Sequence, residues 1–176
     1  MYPAFRLTKE ILRFRKSPTL RLGETHVTRL ICWPGDIDVF MELNNGRTLT
    51  LYDFGRIAMF RRMGTFEAMK SNRWAGTVAG ISIRYWARVR MFQRIEMHSK
   101  MVGWDARFVY VTQSMWRGET CTSQALVRVA ITDENGLVPT NRVAKAMELP
   151  EQSPPLPDWI TSWAEAEGAR PWPPNR

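Results

Sequence analysis

The sequence has few of the residues that cross-link a chain or hold a metal ion. Its 176 residues include two cysteines, Cys32 and Cys121, and two histidines, His26 and His98. Two cysteines cannot form a disulfide framework, and neither the two cysteines nor the two histidines form the closely spaced pair of a conventional zinc site. The sequence therefore excludes a disulfide-rich mini-protein and a structural zinc site, and we expect no metal site.

The sequence also lacks a long apolar run. Arginine or lysine interrupts every apolar stretch within about a dozen positions, whereas a membrane-spanning helix needs roughly 18 or more apolar residues in succession. The basic stretch 1–15 has no apolar segment followed by small residues, which a signal peptide requires. We therefore expect no membrane span, no signal peptide and a cytoplasmic, reducing location.

Positive charge exceeds negative charge, with 25 Lys and Arg residues against 17 Asp and Glu residues and a formal net charge of +8. Nucleic acid, anionic lipid and a phosphate-bearing small molecule all fit this sign. Because no aromatic–basic motif of a nucleic-acid reader is present, we expect no nucleic-acid partner. Residues 1–24 are basic and amphipathic, and they predict a short helix that docks on its own domain rather than on a membrane surface.

Hydrophobic residues make up 44% of the chain, which is enough for the core of one domain. Their spacing predicts a strand over 25–33 and one long helix over 46–71, in which Gly55 marks a close contact with a sheet. Four consecutive strands follow, over 81–90, 94–104, 107–116 and 120–131. Strands joined by short turns pair in antiparallel fashion, and one helix covers one face of the sheet, so the fold class is α+β.

The last part of the chain differs in composition. Seven of the eleven prolines lie after Leu149, together with three tryptophans. Pro157-Asp158 predicts the start of a short helix, and we expect Trp159 and Trp163, one turn apart, to pack in the core. The predicted organisation is a basic segment over 1–24, a central domain over 25–149, and a Pro/Trp-rich extension over 150–176 docked on that domain.

The acidic loop before the long helix is the strongest candidate for chemistry. Asp36, Asp38 and Glu42 are followed there by Asn44 and Asn45. A helix start exposes backbone N–H groups and partial positive charge, which favour a developing oxyanion, and a carboxylate beside them can act as general base or nucleophile. Either asparagine is also a competent N-cap. From spacing alone, catalysis and ordinary capping both stay open.

This loop and three later motifs resemble a known family. Asp38, followed six and seven positions later by Asn44-Asn45, is similar to the loop of hot-dog thioesterases of the 4-hydroxybenzoyl-CoA and acyl-acyl-carrier-protein type. The similarity extends over about residues 25–167 with the subgroup called thioesterase superfamily member 6. The matching motifs here are Leu43-Asn44-Asn45-Gly46-Arg47, Asp53-Phe54-Gly55-Arg56, Gly103-Trp104-Asp105, and Pro154-Pro155-Leu156-Pro157 with Trp159.

The resemblance implies a hot-dog fold, in which a curved antiparallel sheet of about five strands wraps around one long helix. It implies a homodimer or a dimer of dimers with active sites between protomers, an acyl-CoA substrate, and no cofactor beyond the coenzyme A of that substrate. Asp38 would be the catalytic carboxylate, and the N–H groups near Asn45 and Gly46 would hold the carbonyl oxygen. Where the family has histidine this chain has Glu42, which either supplies an extra carboxylate or alters the site.

Three more side chains are candidates. Asp53 resembles the helix aspartate of phenylacetyl-CoA-type hot-dog thioesterases, and helical spacing puts it on the face of Gly46; its alternative role is a salt bridge with a neighbour such as Arg56. Arg84 and Arg88 would bind the phosphates of coenzyme A, and the alternative for each is a solvated position on the outward face of a strand. The expected function is acyl-CoA hydrolysis. The alternative, suggested by Glu42, is a non-catalytic protein that binds or scaffolds acyl thioesters.

Overall fold

The computed structural model describes residues 3–174. Its helices are α1 Ala4–Arg13, α2 Asn45–Arg62, α3 Thr65–Asn72, α4 Thr140–Ala146 and α5 Asp158–Ala169. Its strands are β1 His26–Ile31, β2 Ala75–Tyr85, β3 Arg94–Trp104, β4 Val109–Arg117, β5 Thr120–Asp133 and β6 Gly136–Leu137. The strands form one antiparallel sheet in the order β1-β3-β4-β5-β2, with the two-residue β6 paired to β5. The predicted α+β class is confirmed.

Helix α2 forms the centre of the core. Leu51 and Phe54 are fully buried in one cluster with Met97 of β3, and Met59 is fully buried in a second cluster with Val127 of β5. Fully burying a side chain of this size stabilises the fold by about 1.5–3 kcal/mol. The sheet therefore holds α2 along its length, and the start of α2 is fixed in position for whatever binds there.

Gly55 is the closest approach of α2 to the sheet. A Cβ atom at this position would lie 2.6 Å from Sδ of Met97 and 2.6 Å from Oγ of Ser99. Real Cβ atoms do not pack this closely, so only glycine lets the helix axis lie this near β3. The predicted close contact is confirmed.

The single helix predicted over 46–71 is wrong. The chain leaves α2 after Arg62, and Gly64 has a φ of +75° before α3 begins at Thr65. Glycine adopts this left-handed conformation at little energetic cost because it has no Cβ atom. The conformation is not helical, so it ends α2 before α3 begins. The periodic pattern continues through the break because α3 also packs an apolar face, which includes Met69, against the core.

The strand predicted over 81–90 is displaced. The structure has β2 from Ala75 to Tyr85, paired with β5, and residues 86–93 form the connection to β3. The start was missed because residues 75–80 are small and mostly exposed, without the alternation of a half-buried strand. The end was overextended because Val89 is still buried, although it lies in a loop, where its carbonyl accepts from the amide of Leu43 at 2.8 Å.

Both flanking segments pack on the central sheet and helix. Helix α1 lies against α2, with Leu7 packed against the α2 core cluster, as predicted for docking on its own domain. Helix α5 packs Ile160 and Trp163 onto Tyr110 of β4 and its neighbours. The prediction that Trp159 is a core residue is wrong, because 49% of its surface is exposed.

Candidate active site

Asp38 caps a tight turn in the loop before α2. Its backbone amide donates to the carbonyl of Glu42 at 2.9 Å, and its carbonyl accepts from the amide of Met41 at 3.1 Å. Its Oδ1 accepts from the amide of Phe40 at 2.9 Å. One carboxylate oxygen is therefore used to hold the turn, and the side chain is half-buried.

The same turn holds Met41 in an uncommon conformation. Its φ is 59°, in the left-handed region that residues other than glycine rarely adopt. Val39, Phe40 and Met41 are all exposed, by 89%, 75% and 63%. Because such conformations persist only where surrounding contacts enforce them, the hydrogen bonds of Asp38 maintain the shape of this turn.

Asn44 begins α2. Its backbone is extended, its Oδ1 accepts from the amide of Arg47 at 3.1 Å, and its own amide donates to the carbonyl of Asp36 at 2.9 Å. The predicted N-cap is confirmed. The next two amides, of Asn45 and Gly46, have no acceptor in residues 3–174 and are exposed, so they keep the donors that a helix start offers to an anion.

Asp36 holds the loop to the rest of the protein. It is 2% exposed, and its carboxylate pairs with Arg6 of α1 at 2.6 Å and with Arg47 of α2 at 3.3 Å. Its Oδ2 also accepts from the amide of Trp33 at 2.9 Å. A buried carboxylate needs such partners. From the sequence, Asp36 is only one of three carboxylates in the loop. Its ion pair with Arg6 cannot be predicted from the sequence because the fold brings the two residues together.

A cavity of about 150 Å³ lies at the start of α2, and we call it the helix-start cavity. Its walls come from the loop, from α2 and from the end of β2 and its connection, and include Glu42, Asn45, Thr48, Tyr85, Trp86, Arg88 and Ser123. Glu42 lies on this wall with its Oε2 2.8 Å from Nε of Arg88, which is 72% exposed. The cavity thus joins helix-start amides, a carboxylate and a solvent-exposed guanidinium.

Two buried hydroxyls meet behind the helix-start cavity. Oη of Tyr52 and Oγ of Ser123 lie 2.9 Å apart, and both residues are buried. Burial raises the pKa of Tyr52 far above its usual value, so this hydroxyl stays protonated at any physiological pH. Sequence analysis missed Ser123, because its strand carries only an alternating pattern and its proximity to α2 arises from the curvature of the sheet.

A second and larger cavity of about 450 Å³ lies farther along α2, and we call it the apolar cavity. Aliphatic, methionine and phenylalanine side chains from α1, α2, α3, α4 and the strands dominate its walls. Asp53 and Arg56 also line it, with Arg56 donating to Asp53. Arg56 donates further to Oε1 of Gln113 at 3.0 Å, and Nε2 of Gln113 donates to Oγ of Ser99 at 2.8 Å.

The structure brings together only part of the predicted site. Glu42, Asn45 and Arg88 line the helix-start cavity; Asp38, Asn44 and Gly46 lie in the adjoining loop and helix start. Asp53 lies in the other cavity of the same protomer, because eight residues of helix separate it from Asn45 by about 12 Å. Within one protomer Asp53 thus lines a different cavity from Glu42 and Asn45, and its predicted salt bridge with Arg56 is present. Arg84 is exposed on β2 and lines neither cavity.

Within residues 3–174, no three His, Cys, Asp or Glu side chains are grouped so that they could hold a metal ion. None of the helices in this part of the chain is long and apolar enough to cross a membrane.

The sequence matches a family model. Residues 32–164 match the model described as the thioesterase-like superfamily, which is most of the chain. The chain belongs to the thioesterase-like superfamily. This chain is 29% identical to a curated relative, Protein THEM6 of Xenopus laevis, over 156 residues. The match covers 87% of this chain and 74% of that protein. It is 24% identical to Protein THEM6 of Drosophila melanogaster over 139 residues, covering 77% and 70%.

Solved structures show the same fold. The probable thioesterase YbaW of Escherichia coli superposes with a TM-score of 0.65 at 16% identity, covering 70% of this chain and 96% of that one. The DHNA-CoA thioesterase of Staphylococcus aureus superposes with a TM-score of 0.60 at 9% identity, covering 82% and 91%. The hot-dog fold expected from the resemblance is confirmed, and membership of the superfamily supports thioester hydrolysis as the general chemistry.

Proposed function

We propose that this protein hydrolyses acyl-CoA thioesters at the start of α2. The observation that carries the proposal is the helix-start cavity, which Asn45 and the carboxylate of Glu42 line. Gly46 and Asp38 lie in the adjoining helix start and loop, and the amides of Asn45 and Gly46 have no acceptor among residues 3–174. The names of the curated relatives specify no acyl group, and the solved thioesterase of Staphylococcus aureus, whose name does, shares only 9% identity with this chain. The substrate class is therefore inferred from the charge and shape of this site.

The amides and a carboxylate divide the reaction between them. As a water oxygen attacks the thioester carbon, Asp38 accepts the proton that the water loses. The carbonyl oxygen becomes an oxyanion, which the amides of Asn45 and Gly46 stabilise by hydrogen bonds and by the partial positive charge of the helix start. Cleavage of the C–S bond then releases the carboxylic acid and coenzyme A as a thiolate. Arg88 is exposed at the rim and is placed to bind a phosphate of coenzyme A.

The proposed active form is a homodimer joined along β2. This strand has an unpaired edge, and Val78 and Ile81 are exposed on it by 45% and 36%. If two copies pair antiparallel along all of β2, the two-fold axis passes at Gly80 and Tyr85 lies opposite the partner's Ala75. The helix-start cavity of one protomer then adjoins the apolar cavity of the other, since β2 residues near position 76 line that cavity. Asp53 of one chain would thereby approach the thioester held by the other.

A thiol-release assay over a set of acyl-CoA esters tests the proposed activity. We expect hydrolysis by the wild-type protein and a loss of about 10²–10⁴-fold in kcat for Asp38→Asn, the range typical for removing a general base. Glu119→Gln, which changes an exposed hairpin carboxylate, should keep full activity. If Asp38→Asn is fully active while Asp53→Asn is inactive, the catalytic carboxylate is Asp53. Absence of hydrolysis by the wild type for every ester would refute the proposal.

Non-catalytic binding of acyl thioesters is the second candidate function. The observation that favours it is that both candidate carboxylates have structural partners, Asp38 within its turn and Asp53 with Arg56. Thermal stabilisation by acyl-CoA without release of thiol would support binding alone. Stabilisation together with thiol release would support hydrolysis.

A further inference from the structure

We propose that the apolar cavity binds the acyl chain of the substrate and that this chain is a long aliphatic one rather than a single aromatic ring. The inference rests on the proposed function, because it assigns the acyl group of the same thioester. It comes from the size of the cavity, the chemistry of its walls and the strand edge on which it opens.

The size of the cavity separates the two classes of acyl group. Its volume is about 450 Å³, whereas a cavity of roughly 150 Å³ already holds a benzene ring. A benzoyl-sized group would fill only part of this volume. The size of the cavity therefore favours a ligand with an extended apolar part.

The walls suit a chain of variable conformation. Met69 of α3, Met101 of β3 and Met147 of α4 all line the cavity, and methionine side chains adjust to ligands of irregular shape. Thr65 also lines the cavity, and its hydroxyl is buried and has no hydrogen-bond partner among residues 3–174. A hydroxyl of this kind needs a water or a ligand atom as its partner.

The cavity opens at β2, the strand proposed for dimer formation. Gly76, Thr77 and Val78 line it and are exposed at the sheet edge. A Cβ atom at Gly76 would lie 3.1 Å from the terminal methyl of Met69, so a larger side chain here would enter the cavity. The ion pair of Asp53 and Arg56 is the charged part of the wall. The acyl chain would enter at this edge from the partner's helix-start cavity and extend towards α4.

The acyl-length profile tests the proposal. Each buried methylene group should raise kcat/KM about fourfold until the cavity is full. In Gly76→Val the activity towards acyl-CoA esters of about twelve or more carbons should fall at least tenfold, while that towards short esters should stay within about twofold. Val143→Phe, which fills the α4 end, should shorten the preferred chain in the same way. It serves as the second variant if Gly76→Val does not fold.

Gly168→Val in α5 is the control. It makes the same change at a position where a Cβ atom meets nothing within 4 Å and which lines neither cavity. We expect an unchanged length profile. Equal activity on long and short chains in both filling variants would overturn the proposal, and so would a wild-type preference for benzoyl-CoA.

A binding assay separates this inference from the proposed function. A fluorescent polyene fatty acid that palmitate displaces should bind the wild-type protein and Gly168→Val, and should bind Gly76→Val at least tenfold more weakly. This result would support the cavity even if no ester is hydrolysed. Failure of the wild type to bind the fatty acid, with the dimer intact, would overturn the inference even if hydrolysis is observed.

Discussion

His26 links the stability of this protein to pH through one buried ring. It is fully buried, its Nε2 lies 2.9 Å from Oγ1 of Thr28, and its Nδ1 lies 3.0 Å from Nη1 of Arg62. Arginine always donates, so Nδ1 accepts and the proton is assigned to Nε2. Burial, and then the Arg62 charge, lowers the pKa of His26 to about 4. The ring is therefore neutral in the folded protein near neutral pH.

We expect the free energy of unfolding to fall as the pH falls from about 6.5 towards 4. In this pH range the unfolded chain binds a proton that the folded chain does not. The free energy of unfolding therefore falls by on the order of 3 kcal/mol between pH 6.5 and pH 4. Above pH 6.5 this contribution is complete. Urea denaturation at pH 7, 6 and 5 measures the slope. In His26→Gln, which lacks a titrating group, this part of the slope should disappear. An identical slope in the variant would contradict the assignment to His26.

At the scale of single elements, the contact between α2 and β3 is the most sensitive to substitution. Gly55→Ala would improve helix propensity by about 1 kcal/mol but place a methyl group 2.6 Å from Met97 and Ser99. Such overpacking typically lowers the free energy of unfolding by about 1–3 kcal/mol. Ser99 also accepts from Gln113, which supports Arg56 on the wall of the apolar cavity. Since the gain offsets part of this cost, we expect a net loss of up to about 2 kcal/mol in the free energy of unfolding.

Gly168→Ala in α5 serves as the control for that substitution. Nothing lies within 4 Å of a Cβ atom at Gly168, so this change should stabilise the protein by about 0.5–1 kcal/mol through helix propensity alone. Both variants are measured by chemical denaturation. A stabilised Gly55→Ala protein would show that the helix can move away from the sheet without penalty.

For the whole molecule, the two edges of the sheet differ in their proposed roles. We expect the wild-type protein to have twice the monomer mass in solution and Ile81→Lys on β2 to be monomeric, because a charge on an edge strand opposes pairing. Ile31→Lys changes a residue of similar exposure, 38% against 36%, on the opposite edge strand β1. It should leave the dimer intact. Equal masses for the two variants in light scattering would contradict pairing through β2.

A dimer of dimers would need a further contact surface. The outer face of the sheet is partly occupied by α5, which buries Ile160 against Tyr110 and Leu126. The outer side of α2 is partly occupied by α1, held there by Leu7 and by the pair of Arg6 with Asp36. Both of these surfaces are therefore partly covered within one protomer.

The sequence by itself determined the fold class, the positions of most strands and the start of α2. These features depend on local spacing and on the cap formed by Asn44, which any chain with this pattern would share. The same local rules failed at Gly64, where one positive φ divides the helix, and at β2, whose small exposed residues pair only because β5 lies beside them.

Only the tertiary structure decided which candidate residues meet. Local spacing could not show that Asp38 holds its own turn, that Asp53 faces a different cavity from Glu42, or that Ser123 lies behind the start of α2. Those relations join segments up to 71 residues apart. They arise from the curvature of the sheet around α2 and from the short distance between α2 and β3 that Gly55 allows. Both depend on the summed packing of the core rather than on any short stretch of sequence.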